Sequence, residues 1–204
     1  PYFLNTFNTL WAGGLQTTMS GLAAQANGQT ELWITGHSLG GSMAAVAAAT
    51  IADGGIFPAE RIRLVTFGEP RTGDKDYAAM MDKTFGDDHR VTHNRDIVPH
   101  IPPEFYGYWH QQQEIFYKND MTDIEKYVAC SGDEDKNCSD DYWDLSIEDH
   151  LHYYATDISD WGRKGCSASA ASRVFQMTSE KVANEAFLKE MHVADKLISR
   201  KHEN

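Results

Sequence analysis

The amino-acid sequence predicts an α/β fold with a mostly parallel central sheet and helices on both faces. A short apolar strand, a glycine-flanked turn carrying one serine and an alanine-rich helix follow one another in residues 32–49. Two more strand candidates, rich in β-branched and aromatic residues, lie at 61–67 and 89–93, and a helix is predicted between them at 77–83. Strands that alternate with helices in this way are typical of parallel sheets.

The turn after the first strand has the form G-x-S-x-G, from Gly36 through Ser38 to Gly40. A sharp strand-to-helix turn strains the serine backbone and brings strand and helix close together, so residues without a Cβ fit beside it. The amides and dipole at the N-terminus of the next helix point to where an oxyanion would form. This context predicts the nucleophile elbow of an α/β-hydrolase, with Ser38 as nucleophile and the backbone N–H of Leu39 as an oxyanion donor.

A nucleophilic serine needs a histidine base and a carboxylate that orients this base. On the α/β-hydrolase fold they follow the serine in the order acid, then histidine. Asp96 comes directly after the third strand candidate, at the carboxyl end where open α/β sheets bind their ligands. We therefore predict Asp96 as the acid. The competing carboxylates, in segments that read as turns and loops, are Asp74, Asp76, Asp87 and Asp88.

The base is one of nine histidines. His37 lies in the elbow and precedes the nucleophile, which predicts that its side chain points away from the site. The histidines that flank strands are His93, His100 and His110. The strongest candidates are His150 and His152, which come late in the chain beside apolar residues that could wall a cleft. The residues alone do not choose between these two.

Four ordered blocks of sequence resemble the class 3 lipases, the fungal triacylglycerol lipase family, and most closely the secreted nematode branch of that family. The blocks are Thr-Gly-His-Ser-Leu-Gly-Gly at 35–41, Thr-Phe-Gly-Glu-Pro-Arg-Thr-Gly-Asp at 66–74, Asn-Arg-Asp-Ile-Val-Pro-His-Ile-Pro-Pro at 94–103 and Asp-His-Leu-His-Tyr-Tyr at 149–154. The resemblance extends over residues 2–166. It implies that Asp96 is the acid and that His150, not His152, is the base. Leu151, next to this base, is a candidate for substrate binding.

The resemblance implies hydrolysis of carboxylic esters through an acyl-enzyme, with acylglycerols as the expected substrates. Ser38 would attack the ester carbonyl, His150 would carry the proton to the leaving alcohol, and Asp96 would orient the imidazole. No metal or cofactor is expected. Phospholipase A1 and feruloyl esterase activities also occur in the family and are alternatives. The hypothesis from another class is a non-catalytic, lipase-like binding protein.

Composition and charge restrict the expected partners. The chain has 204 residues, of which 41% are hydrophobic, enough for one sizeable core. The formal net charge of −12 argues against nucleic acid and against electrostatic docking on anionic bilayers. The acidity suits a secreted protein, and the resemblance implies a lipid or ester substrate with transient contact to a lipid interface.

The three cysteines indicate an oxidising compartment. Cys130 and Cys138 bracket a short acidic loop, a spacing that suits a local disulfide. Cys166 is left over, and the cysteines have no spacing that suggests zinc. In the class 3 lipases a cysteine at this place pairs with one near the N-terminus, and the resemblance implies such a partner outside this sequence.

Class 3 lipases have a further N-terminal stretch that carries the first strands, a lid helix and the loop with the second oxyanion donor. The sequence opens in the helix before the elbow strand, so the resemblance leads us to expect a fragment of a longer protein and weak activity of the isolated chain. Residues 1–166 are predicted to form the hydrolase domain. Residues 167–204 are predicted to form a linker and a tail with an amphipathic helix at 179–200.

Overall fold

The computed structural model describes residues 2–86, 88–123, 126–142 and 145–166. The chain divides into two compact units, Pro1–Ala155 and Thr156–Asn204. The predicted linker and tail helix at 167–204 lie outside the described residues, so the proposed division of the chain at residue 166 stays a prediction.

The first unit is built on a five-stranded sheet. In the order in which they lie side by side, its strands are β1 (Leu32–His37), β2 (Ile62–Phe67), β3 (His89–His93), β4 (Gln113–Tyr117) and β5 (Val128–Ala129). The first four strands pair in parallel, and β5 pairs antiparallel with β4. The mostly parallel α/β sheet predicted from the sequence is confirmed. Since parallel strands end at the same edge, the residues that follow β1, β2 and β3 meet there.

The helices of this unit differ widely in length. They are α1 (Tyr2–Leu10), α2 (Gln16–Gln25), α3 (Leu39–Asp53), α4 (Lys75–Thr84) and α5 (Ile147–Leu151), with a π-helical segment at Trp11–Leu15 and 3₁₀-helices at Ala59–Arg61, Val98–His100, Glu104–Tyr106 and Ser139–Asp141. A short strand, β6 (His152–Tyr153), follows α5 directly. Within the described ranges, no helix combines the length and the apolar character needed to cross a membrane.

The main hydrophobic core lies where α3 packs against the sheet. Ala45 and Ala48 of α3 are fully buried, and their small side chains let the helix approach the strands closely. Leu64 of β2 and Met81 of α4 belong to the same cluster and are also fully buried. The alanine-rich sequence after Ser38 therefore fixes the start of α3 directly against the strand ends.

Helix α4 begins two residues before the predicted start because Asp74 caps it. The Asp74 carboxylate accepts a hydrogen bond of 2.9 Å from the backbone N–H of Tyr77, the usual way in which Asp satisfies a free amide at a helix N-terminus. Asp74 is thus a capping residue and not a competitor for the role of acid.

A disulfide joins Cys130 to Cys138, as the sequence predicts, and closes the acidic loop between them. From this loop the Glu134 carboxylate contacts the buried guanidinium of Arg71 with both oxygens, at 2.8 Å to Nε and 2.7 Å to Nη2. Such bidentate pairs combine charge with fixed geometry. Because Arg71 follows β2, the disulfide loop is fixed to the segment that leaves this strand.

The described part of the second unit covers residues 156–166 and contains β7 (Thr156–Asp157) and α6 (Ile158–Arg163). The Asp157 carboxylate caps α6 by accepting a hydrogen bond of 2.7 Å from the backbone N–H of Asp160. Cys166 is exposed and forms no disulfide.

Candidate active site

Ser38 occupies a strained turn between β1 and α3. Its φ is 58° and its ψ is −133°, a backbone conformation that costs energy for a residue with a side chain. Its backbone N–H donates a hydrogen bond of 2.9 Å to the carbonyl of Phe67 at the end of β2. A Cβ at Gly36 would lie 2.1 Å from the carbonyl oxygen of Gly40, whereas a Cβ at Gly40 would meet nothing within 4 Å. Of these two glycines, Gly36 is therefore the one that the close turn requires.

The structure brings Ser38, His150 and Asp96 into one hydrogen-bonded series. His150 Nε2 lies 2.9 Å from Ser38 Oγ, and His150 Nδ1 lies 2.9 Å from Asp96 Oδ2. His150 and Asp96 are each about 1% exposed. This geometry lets the serine hydroxyl donate to one ring nitrogen while the other donates to the carboxylate, which is the arrangement that activates a serine nucleophile.

Asp96 is held by two further donors. Its Oδ1 accepts a hydrogen bond of 2.8 Å from the backbone N–H of Val98, and its Oδ2 accepts one of 2.8 Å from the hydroxyl of Tyr153. Burial, followed by the nearby Asp96 carboxylate, raises the pKa of Tyr153 well above its usual value. The Tyr153 hydroxyl therefore stays protonated and keeps donating. Sequence reasoning missed Tyr153, although it lies within the fourth block of the family resemblance.

Asp96 and His150 reach each other because α5 is attached to the loop that carries Asp96. Ser146 caps α5 by accepting a hydrogen bond of 3.0 Å from Asp149 N. The backbone N–H of Ser146 donates a hydrogen bond of 2.6 Å to the Arg95 carbonyl, and the Ser146 carbonyl accepts one of 3.2 Å from the backbone N–H of Ile97. These main-chain bonds on both sides of Asp96 fix the start of the helix that presents His150.

Gly68, the residue after β2, lies directly behind Asp96 and His150. Its φ is +55°, and a Cβ at this position would lie 2.6 Å from Asp96 Oδ2 and 3.0 Å from His150 Nδ1. The glycine is therefore required twice, by its left-handed backbone and by the space that the pair occupies. In the sequence, Gly68 is only the residue directly after the second strand candidate and a member of the second resemblance block.

His37 contradicts the expectation that it points away from the site. Its ring stacks on the ring of His150, with centroids 4.5 Å apart and planes inclined by 26°, and its Nε2 lies 2.9 Å from the His150 carbonyl oxygen. Burial, followed by the charge of His150, lowers the pKa of His37 to about 4. His37 is thus a neutral ring against the ring of His150. The expectation failed because strand geometry ends at Ser38, whose φ is 58°, so the alternation of neighbouring side chains between the two faces of a strand does not apply there.

Leu39 and Leu151 take positions that fit their predicted roles without testing them. Leu39 is the first residue of α3 and directly follows Ser38, so its backbone N–H is one of the amides that the helix leaves without an internal acceptor. Leu151 is half-buried and ends α5 next to His150. The oxyanion role of Leu39 and the substrate-binding role of Leu151 stay predictions.

The competing carboxylates have other partners. Asp88 is buried, and its two oxygens accept hydrogen bonds of 2.8 Å from Leu64 N and 2.9 Å from Gln112 Nε2. Asp76 lies in the first turn of α4, and Asp87 lies outside the described residues. None of the described competitors has a contact with His150 or Ser38 comparable to that of Asp96.

The competing histidines lie against backbone carbonyls or a remote carboxylate. Their contacts are His152 Nδ1 to Glu148 O at 3.0 Å, His93 Nδ1 to Asp149 O at 3.0 Å, His110 Nε2 to Pro99 O at 2.7 Å and His100 Nδ1 to Asp140 Oδ1 at 3.4 Å. Burial, followed by the positive charges of Arg90 and Arg71, lowers the pKa of His110 well below its usual value. The structure thus places His150, and not these histidines, beside Ser38.

A buried carboxylate that sequence reasoning missed lies behind the first turn of α3. Glu69 Oε2 accepts a hydrogen bond of 2.6 Å from the Thr66 hydroxyl, and Oε1 accepts bonds of 2.7 Å from the Thr72 hydroxyl and 2.6 Å from Gln111 Nε2. A Cβ at Gly41 would lie 3.1 Å from Glu69 Cβ. These donors satisfy the carboxylate, and the network supports the helix turn that follows Ser38.

Two groups of side chains in the described ranges have a spacing that could hold a metal ion. They are Glu104, Glu134 and Asp140, and Glu114 with Cys130 and Cys138. The guanidinium of Arg71 lies 2.7–3.8 Å from the three carboxylates of the first group and already supplies their positive charge. The cysteines of the second group are joined in a disulfide, so they are not thiolate ligands. Neither group includes Ser38, His150 or Asp96.

Comparison with known proteins relates this chain to a family. The model of the family described as Lipase (class 3) matches residues 1–106, about half of the chain. Lipase ZK262.3 of Caenorhabditis elegans is 29% identical over 203 residues, covering 82% of this chain and 58% of its own length. The secreted mono- and diacylglycerol lipase 1 of Fusarium solani is 35% identical over 136 residues, covering 65% of this chain and 40% of its own length.

A solved structure gives the same relationship in three dimensions. The crystal structure of the lipase from Rhizopus microsporus var. chinensis matches with a TM-score of 0.68 and 32% sequence identity, covering 77% of this chain and 54% of that chain. The chain thus spans about half the length of the proteins it resembles.

Proposed function

The chain belongs to the class 3 lipase family, and we propose that it hydrolyses carboxylic esters of acylglycerols through a covalent acyl-enzyme. The observation that carries this proposal is the series Ser38–His150–Asp96, with both hydrogen-bond distances at 2.9 Å, on a strained turn at the carboxyl edge of the sheet. An unreactive serine in a binding protein would not require this series together with the backbone strain at Ser38.

In the proposed reaction, Ser38 Oγ attacks the ester carbonyl carbon while His150 Nε2 takes the hydroxyl proton. The tetrahedral intermediate collapses by breaking the bond to the alkoxy oxygen, which leaves as the alcohol with the proton from His150. Water then attacks the acyl carbon, again giving its proton to His150, and the fatty acid leaves as Ser38 regains its hydrogen. Asp96 keeps the imidazole in the tautomer with hydrogen on Nδ1 and stabilises the imidazolium.

The negative charge on the tetrahedral intermediate would be met by the N-terminus of α3. Leu39 contributes its backbone N–H, and the helix dipole adds partial positive charge at the same place. The buried network of Glu69 supports this turn from behind, which keeps the amide in position before the charge develops.

Substrate class and location rest on several features that agree. A strongly acidic chain, with a net charge of −12, suits neutral acylglycerols better than anionic bilayers. The Cys130–Cys138 disulfide suits an oxidising compartment, and the relative from Fusarium solani is named a secreted mono- and diacylglycerol lipase. We therefore propose a secreted enzyme that contacts a lipid interface transiently during turnover.

The test is release of fatty acid from emulsified triacylglycerol and diacylglycerol by the purified protein. Ser38→Ala should remove nearly all turnover, while Ser20→Ala, at an exposed serine of α2, should leave it unchanged. Greater release from phosphatidylcholine or methyl ferulate than from acylglycerols would assign the same chemistry to a phospholipase A1 or a feruloyl esterase. Absence of Ser38-dependent release from every ester would favour the non-catalytic binding protein.

A further inference from the structure

The backbone carbonyl of His150 needs a hydrogen-bond donor from outside its own helix. Helix α5 has five residues, and the last four carbonyls of an α-helix have no internal partner. His37 Nε2 lies 2.9 Å from the His150 carbonyl oxygen. Because a carbonyl oxygen only accepts, the hydrogen of this bond belongs to His37 Nε2. His37, in the elbow, thus binds the main chain of His150, in α5.

The ring of His37 also covers one face of the base. The His37 and His150 rings stack with centroids 4.5 Å apart, and the ring of Tyr153 meets His37 edge-on at 5.5 Å. The titratable groups around His37 are therefore His150, Tyr153 and, through the base, Asp96. A neutral His37 fits this position, because a second charged ring would repel the imidazolium that forms on His150 during the reaction.

The contacts of the base with the reactants change throughout the proposed cycle. His150 Nε2 accepts a proton from Ser38, gives it to the leaving alcohol, and then accepts one from water. Of the polar contacts of His150 described above, only the bond from Nδ1 to Asp96 and the bond from His37 to the carbonyl take no part in these transfers. The first orients the ring, and the second fixes the backbone from which the ring extends.

We propose that His37 is a positioning residue for the base, which fixes the His150 main chain through its Nε2–H and limits the ring through stacking. This inference rests on the proposed ester hydrolase function. It separates His37 from the groups that touch the reacting atoms, since its ring stacks on His150 and meets Tyr153 edge-on. Misplacement of a reacting group by about 1 Å can cost on the order of a hundredfold in rate. A residue that only fixes the position of the base can therefore have a large effect on kcat.

Matched variants separate the donor from the ring. His37→Gln can place an amide N–H near the position of Nε2, whereas the shorter side chain of His37→Asn cannot reach the carbonyl. His37→Phe keeps a flat ring and removes the donor. We expect His37→Gln to retain kcat within about threefold, and His37→Asn and His37→Phe to lose at least about tenfold, with KM within about twofold in all three, because the ester binds elsewhere.

The control pair is His152→Gln and His152→Asn. His152 also contacts a carbonyl of the same helix, at 3.0 Å to Glu148 O, but it is more exposed than His37 and lies outside the site; both changes should leave kcat unchanged. All rates are divided by the concentration of active sites, titrated with a fluorophosphonate. Because unfolded molecules are not counted as active sites, partial unfolding of a variant does not lower its kcat in this measurement.

The pattern of kcat decides the inference. A loss of kcat in His37→Asn of at least about tenfold, together with kcat within about threefold of wild type in His37→Gln, supports the role of His37 in fixing the main chain of His150. Wild-type kcat in both His37→Asn and His37→Phe, equal loss in the Gln and Asn variants, or a raised KM with unchanged kcat would each overturn it while leaving the ester hydrolase intact. A wild-type protein without turnover on any ester would overturn the proposed function together with this inference.

Discussion

The hydroxyl of Tyr153 donates a hydrogen bond of 2.8 Å to Oδ2 of Asp96, the same oxygen that lies 2.9 Å from Nδ1 of His150. The phenol and the imidazole thus hold one carboxylate oxygen from two sides. Since Tyr153 follows His150 by three residues, a single short segment supplies both the base and a clamp on the acid. The orientation of the triad depends on this segment as much as on the serine turn.

Replacing Tyr153 with Phe should lower kcat by about tenfold and leave KM nearly unchanged. The change removes one hydrogen bond to a charged group, worth on the order of 1.5–3 kcal/mol, while the ring keeps its packing against His37 and Phe67. Steady-state kinetics on a soluble short-chain ester measures the effect. Unchanged kcat in Tyr153→Phe would show that the acid is oriented without this bond.

Replacing Gly68 with Ala should lower kcat by at least about a hundredfold, because the new methyl group occupies space used by Asp96 and His150. The control is Gly107→Ala. Gly107 also has a positive φ, +84°, but a Cβ there meets nothing within 4 Å, so it carries a similar backbone strain without the clash. If the two variants lose activity equally, strain and not contact with the triad explains the effect.

Asp133 should make the stability of the protein depend on pH. Burial, followed by the nearby carboxylate of Asp82, raises the pKa of Asp133 to about 6 in the folded state, compared with about 4 for an unfolded Asp. The folded state therefore binds this proton more tightly. The stability that results is fully present below about pH 4 and is lost as the pH rises through about 6.

Asp133→Asn cannot ionise, so its melting temperature relative to wild type should rise between pH 4 and pH 7. Thermal unfolding followed by circular dichroism at several pH values measures this difference. Asp53→Asn, at the exposed last residue of α3, is the control and should follow the wild type. A constant difference between Asp133→Asn and wild type over this range would contradict the raised pKa.

The cysteines give a prediction that can be tested without an activity assay. In denaturant without reductant, thiol titration should find one free thiol per chain, that of Cys166, because Cys130 and Cys138 are joined. Opening the disulfide with Cys130→Ser and Cys138→Ser should lower the free energy of unfolding by about 2–3 kcal/mol for a loop of this size. Three titratable thiols per chain would contradict both the disulfide and the oxidising compartment.

Much of the fold and the positions of Ser38 and Asp96 in the site could be predicted because the sequence signals for them are local. The strands, the glycine turn and the alanine-rich helix each depend on neighbouring residues. The turn predicts a nucleophile elbow, and on that fold the acid and then the histidine follow the serine along the chain. The choice between His150 and His152 needed the family resemblance. In the structure, His150 is buried within α5, whereas His152 follows the helix and is partly exposed.

The parts that could not be predicted depend on contacts between distant segments. His37 meets a carbonyl 113 residues away, and Tyr153 meets an acid 57 residues away. Glu69 lies in the second block of the family resemblance with no local sign of its partner, yet Gln111 from the segment before β4 donates a hydrogen bond to its carboxylate. No local periodicity encodes such partners, since they depend on which strand ends the sheet brings together.

The central claim is that Ser38 is a nucleophile activated by His150, and covalent labelling tests it most directly. The purified protein is treated with a fluorophosphonate, and the intact mass and the labelled peptide are determined by mass spectrometry. We predict one label per chain, on Ser38, with Ser38→Ala unlabelled and His150→Ala labelled at least about a hundredfold more slowly. A wild-type protein that takes up no label, or a His150→Ala variant labelled at the wild-type rate, would contradict the account.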